Sequence, residues 1–140
     1  MDLDFNKIIR LKKIKVDKIN LSEEEESLSK PVLTDRKLIS EIYQIFKKVV
    51  SKRNCPPMFD SVTQRKKFIF IILYLYSPNT LAGGKMPKGL RDDISKALNF
   101  HSPCTISNNC ADVCFLYQNY SDFSREVEDI FKAVMKEMEN

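Results

Sequence analysis

Apolar residues recur at helical spacing along most of the chain beyond residue 33. Leu38, Ile42, Ile45, Phe46 and Val49, flanked by Ile39, Tyr43 and Val50, form one broad stripe. That stripe predicts a helix opened by Thr34 or Asp35 and running to about Arg53. Lys47, Lys48, Lys52 and Arg53 crowd its last turns, where the helix dipole favours cations, and Asn54-Cys55-Pro56-Pro57 stops it. The next block, Phe68 to Tyr76, is apolar all round. Its residue types also suit a buried strand. Ser61 with Gln64 makes a capping box ahead of it, however, and no partner strands are evident. The expectation is a helix from about Asp60 to Tyr76, central to the body and ended by Ser77-Pro78-Asn79-Thr80.

Three further helices follow from the same pattern. Leu90 to Leu98 buries Leu90, Ile94, Ala97 and Leu98, and Asn99-Phe100-His101 turns the chain. Ser102 as N-cap and Pro103 in the first turn open a helix to about Gln118, which Asn119-Tyr120-Ser121-Asp122 breaks. The last helix, about Asp122 to Glu137, carries Phe123, Val127, Ile130, Phe131, Val134 and Met135 on one side. No internal repeat or low-complexity tract interrupts the series.

Residues 1–33 read differently. Lys7 to Ile19 mixes basic and β-branched residues, and Ile14 to Val16 alternates like a strand. One strand makes no sheet. The segment is therefore expected to be an extended arm that docks on the body, on another copy or protein, or on a polyanion. Glu23 to Glu26 follow Ser22, either capping a short helix or forming a solvated linker. The predicted architecture is all-α: a compact helical bundle over 34–140, with a helix-turn-helix-like part at about 60–138 and an N-terminal arm and linker at 1–33.

Composition narrows the class. At 140 residues, 43% hydrophobic and 30% charged, with 3 Gly and 6 Pro, the chain fits one ordinary globular domain and no fibrous or linker type. The net charge of +4 is unevenly spread. Residues 1–54 carry 13 Lys/Arg and 9 Asp/Glu, residues 55–100 carry 7 and 3, and residues 101–140 carry 3 and 7. A basic front and middle with an acidic tail permits attraction to phosphates, and also head-to-tail self-association. The start, Met1-Asp2-Leu3-Asp4-Phe5, is acidic and opens no secretory signal, and the longest apolar run is far below a membrane span. A cytoplasmic protein, in a bacterial cell or phage-infected host, with no membrane partner is expected.

The candidate chemistry is sparse. Cys55, Cys104, Cys110 and Cys114 contain no Cys-x-x-Cys pair. Cys110 and Cys114 share a helix face, but reduced cysteines packed as small hydrophobes are the simpler reading, and no metal is expected. Leu81 to Leu90 is the glycine-rich stretch. It lacks the first glycine of a phosphate loop and has Met86 where that motif needs a hydroxyl, so no nucleotide cofactor is expected. His101, beside Ser102 and Cys104, is the sole histidine, and nothing selects an oxyanion site or a general base near it. The expectation is a non-enzymatic protein.

The two short helices, Leu90–Leu98 and Pro103–Gln118, form a candidate helix-turn-helix. The second would present Thr105, Ser107, Asn108 and Asn109 to bases, asparagine being suited to adenine. Lys85, Lys88 and Arg91 would hold backbone phosphates. The recognition helix itself carries no Lys or Arg.

This order of a long apolar helix, a basic loop, a short helix, a Ser/Thr-capped helix and a closing helix resembles the C-terminal DNA-binding domain of the bacterial replication initiator and the related tryptophan-repressor-like group. That family's second helix opens with Asp-His-Thr-Thr-Val. Aligned on Thr105-Ile106, Ser102 falls on the capping aspartate, Pro103 on the histidine and Cys104 on the first threonine. The family's following Arg-Lys pair falls on Ala111-Asp112, a departure from its pattern. The stretch is also similar to small proteins of Bacteroidetes and their phages, which implies a mobile-element setting. The resemblance implies binding to duplex DNA. The alternative is a structural or adaptor protein, for example a phage assembly component, that joins other proteins or a second copy through residues 1–33.

Overall fold

A computed structural model describes residues 3–52, 62–99 and 103–139, without the side chains at 62, 103–105, 107, 108 and 111. The chain divides into two compact units, Met1–Lys30 and Pro31–Asn140.

The first unit is a single helix, α1 (Asn6–Leu28). This overturns the extended, strand-like reading of the arm. Ile14-Lys15-Val16 is too short an alternation to outweigh the Leu, Lys, Arg and Glu around it, which favour helix over a long window. No residue of α1 is buried. Its apolar side chains are divided between two opposite sides of the axis, Leu11, Ile14, Leu21 and Leu28 on one and Ile8, Ile9, Val16 and Ile19 on the other, so the helix as a whole shows no single dominant stripe.

Every secondary-structure element described in the second unit is helical, joined by short loops. Asp35 does cap, but it caps a 3-10 turn, Arg36–Leu38, by accepting from the Lys37 amide at 3.0 Å. The α-helix proper, α2 (Ile39–Ser51), starts after that turn and buries Ile39, Ile42, Phe46, Val49 and Val50. The expected stop at 54–57 and the Ser61 cap lie outside the described residues.

The central helix α3 (Val62–Tyr76) buries Phe68, Ile69, Ile71, Ile72, Leu73, Leu75 and Tyr76. Ser77 breaks it, but Pro78 restarts one helical turn, α4 (Pro78–Leu81), where a plain chain break was expected. Proline at a first helical position gives up no intrahelical bond, and the Ser77 and Thr80 hydroxyls lie 2.7 Å apart across the turn. Three helices complete the unit: α5 (Leu90–Leu98), α6 (Pro103–Asn119) and α7 (Ser121–Glu139). The expected four-residue break between the last two is only Tyr120.

The core follows from these faces. Helix α3 packs on α6 and α7, and α2 packs on α7 and α5. Phe68 is the aromatic hinge of the packing. Its ring lies 4.8 Å from that of Tyr43 and, edge-on, 5.4 Å from that of Phe46. The segment entering α2 is tied to α3 through its backbone. The Val32 and Leu33 amides both donate to the Leu75 carbonyl at 2.9 Å, and the Tyr76 hydroxyl donates to the Asp35 carbonyl at 2.7 Å. The fold is thus an all-α bundle built on α3, and among the described residues no helix is long and apolar enough to cross a membrane.

Candidate nucleic-acid interface

The loop between α4 and α5 is held at both ends. At its start, the Gly84 amide donates to the Asn79 carbonyl at 2.8 Å. A Cβ at Gly84 would come within 2.8 Å of that same oxygen, so only glycine permits this approach. At its end, Gly89 adopts a left-handed backbone, φ 87°, and caps α5. Arg36 reaches this point from the 3-10 turn. Its Nη1 donates to the Lys88 carbonyl at 2.6 Å and its Nε lies 3.3 Å from Asp93 Oδ2. A Cβ on Gly89 would press on Arg36 Nη1 at 2.9 Å. The chain between the two clamps is therefore fixed, and Lys85, Lys88 and Arg91 stand exposed on it and on the first turn of α5.

Two carboxylates share that first turn, Asp92 and Asp93, as the positive end of a helix favours. Asp93 is paired with Arg36, and Asp92 is exposed to solvent.

Helix α5 ends on Asn99, whose φ of 59° gives the left-handed C-cap that a sharp turn needs. Helix α5 packs on α6, so the pair forms a helical hairpin. Of the residues expected to face bases, the side chains of Thr105, Ser107 and Asn108 lie outside the described residues, as do His101 and Ser102. Asn109 is placed, and it corrects the expectation: it is 9% exposed, so it is not a base-reading residue here. The reason is helical phase. Ile106 and Val113 are fully buried, and Asn109 stands between them at i+3 and i−4 on the same inward face.

The same face explains Cys110. Burial pushes its thiol up to about 11, and the nearby Arg91 charge pulls the other way. Arg91 thus lies close enough to α6 to act on its second turn. Cys110 and Cys114 are half-buried free thiols, and Cys55 and Cys104 lie outside the described residues. No cluster of His, Cys, Asp and Glu suited to a metal occurs among the described residues.

The sequence did not mark Arg36 as part of the site, since it stands 52 positions from the carbonyl it holds. Nor did it separate Lys67 from its neighbours. Lys67 is 4% exposed and pairs with Glu126 of α7. The spacing did contain that signal: Gln64, Lys67, Phe68 and Ile71 share one helix face, and all four are buried. Two further carboxylates of the closing helix are also engaged: Glu137 meets Lys48 at 3.1 Å and Glu128 accepts from the Tyr117 hydroxyl at 2.6 Å. Asp112 on α6 lies 3.5 Å from Lys66.

A second feature is an apolar groove of about 550 Å³ between α3, α4, α6 and α7. Phe70 stacks on Tyr117 at 4.8 Å and Tyr74 meets Phe131 edge-on at 5.2 Å along its walls. No family model matches the chain, and neither does any curated protein or solved structure.

Proposed function

We propose that this is a non-enzymatic protein that binds duplex DNA through the α5–α6 hairpin and the loop before it. The observation that carries the reading is the clamped cationic loop. Lys85, Lys88 and Arg91 are exposed on a backbone fixed by Asn79–Gly84 and Arg36–Gly89, beside a helical hairpin. A fixed loop loses little conformational entropy when its cations meet phosphates. Thr105, Ser107 and Asn108 remain the proposed base-facing residues, and Asn109 is withdrawn from that set. A phage or mobile-element setting, in regulation or packaging, fits such a protein.

The test is fluorescence anisotropy of a labelled duplex titrated against salt. With about three phosphates neutralised, log affinity should fall with log salt at a slope near −3. Lys85→Glu/Lys88→Glu should abolish binding at moderate salt, while Lys132→Glu, on α7, should not. Absence of binding at low salt, or binding indifferent to the loop variant, overturns the proposal.

The aromatic groove favours a second reading, an adaptor that accepts an apolar segment of another protein between Tyr74 and Tyr117. Leu81→Glu should then block capture of that partner and leave DNA binding unchanged.

A further inference from the structure

Helix α1 carries charges that its own structure leaves unsatisfied. Residues 7–18 hold Lys7, Arg10, Lys12, Lys13, Lys15 and Lys18 with one acid, Asp17, and the last two turns hold Glu23 to Glu26. This is the reverse of what the helix dipole favours, which is anions at the start and cations at the end. Like charges stand at i, i+3 in Arg10–Lys13, Lys12–Lys15, Lys15–Lys18 and Glu23–Glu26. Within the helix, Lys13–Asp17 is the one opposite-sign pair at three- or four-residue spacing. Leu11, Ile14, Leu21 and Leu28 nevertheless line up at seven-residue and three-residue intervals. Leu21 is 63% exposed and Leu28 is 70% exposed.

We infer that α1 pairs antiparallel with α1 of a second copy of this chain. An antiparallel neighbour sets a basic half against an acidic half twice over, and it sets each helix end beside the opposite end of the other dipole. A parallel neighbour would stack like on like. One register, with its two-fold axis at the level of Val16, brings the middle of the apolar stripe and an opposite-charge pair together, and leaves Leu28 beyond the overlap. It places Leu11 across from the partner's Leu21, Ile14 across from the aliphatic stem of the partner's Lys18, and Lys7 across from the partner's Glu25. Ile9, Val16 and Ile19 lie on another side and stay outside the pair. A two-fold axis near the middle of α1 generates both halves of the interface. The inference goes beyond both functional readings and stands if each of them fails.

Charge exchange in the full-length chain tests it, read by sedimentation velocity across a concentration series. The native chain should show reversible association to dimer, weakened by salt. Reversing the acidic end (Glu23→Lys, Glu24→Lys, Glu25→Lys, Glu26→Lys) should leave a monomer at concentrations where the native chain is dimeric. Reversing the basic end (Lys7→Glu, Arg10→Glu, Lys12→Glu, Lys13→Glu) should do the same. Mixing the two variants should restore a dimer containing one of each, and the chain with both ends reversed should dimerise alone. The restored species show that the single-end variants remain folded. A native chain that stays monomeric up to its solubility limit overturns the inference, as it would if α1 served another protein or a polyanion. Dimers that persist equally in both single-end variants also overturn it, because the association then lies elsewhere or runs parallel.

Discussion

Lys67 is a cation held on the inward face of the most apolar helix, and its stability rests on one partner. Removing the charge of Glu126 would leave the ammonium buried and unpaired, whereas removing both ionic groups would leave an ordinary apolar contact. Glu126→Gln should therefore lower unfolding stability by about 2 kcal/mol in urea, discounted from the fully buried case because the carboxylate is 44% exposed. Lys67→Met should cost less or stabilise, and a larger loss for Lys67→Met than for Glu126→Gln would refute this account. Gly89 makes a second residue-scale case. Gly89→Ala adds both a left-handed strain and a clash with Arg36, for a loss of about 1–3 kcal/mol. Its readout beyond stability is the release of Lys88, seen as faster amide exchange at residues 85–89. The inward phase of Lys67 was legible in the helical spacing, but its partner Glu126 was not, and the role of Gly89 was not legible locally at all. Glycine in a basic loop reads as a turn, and only the approach of Arg36 from a distant element makes this one obligatory.

At the scale of elements, α5 and α6 begin where the pattern places them, because Leu90, Ile94 and Leu98 share a tight helical phase and proline marks the entry to α6. The C-terminal end of α5 depends on Asn99 in the left-handed region. Asn99→Gly should change stability by a few tenths of a kcal/mol at most, while Asn99→Val should cost about 1–2 kcal/mol, because a β-branched residue is strained there. Thermal melts of the two variants, compared with the native chain, decide it; equal melts would mean that the left-handed C-cap carries no strain for a β-branched residue. The element that pattern reading missed is α1. Amphipathic periodicity finds helices that bury a face, and α1 buries none. It also misplaced Asn109. Its amide made it look like a surface residue, but its phase between Ile106 and Val113 turns it inward.

At the scale of the whole molecule, the buried core residues among those described all lie between Ile39 and Val134. The second unit therefore has what it needs to fold by itself, and a chain of residues 31–140 should melt cooperatively within a few degrees of the full-length protein. Loss of cooperative melting would show that the first unit supplies part of the core. The unit should also be sensitive to alkali. Cys110 is raised from 9.0 to about 11 by burial, and Tyr76 is raised from 10.0 to about 12 by burial and then by Asp35. Both groups hold their protons more tightly when folded. Their stabilisation is complete below about pH 9 and is lost as pH rises through 9 to 12. Stability measured by denaturant at a series of pH values should fall over that window, and Tyr76→Phe should flatten its upper part. A flat profile for the native chain from pH 8 to pH 11 would contradict it.

The sequence by itself determined the helical class, the central place of Phe68–Tyr76 and the bounds of α5, because burial periodicity is a local property of the chain. It also determined the charge polarity of α1, which is fixed by covalent order alone. Among the described residues, tertiary structure decided which cations are paired. Lys67, Lys48 and Arg36 are taken up by Glu126, Glu137 and Asp93, while Lys85, Lys88 and Arg91 stay exposed. A charge's partner is set by which helices meet, and that meeting depends on packing between residues as far apart as 89 positions, which no local pattern encodes.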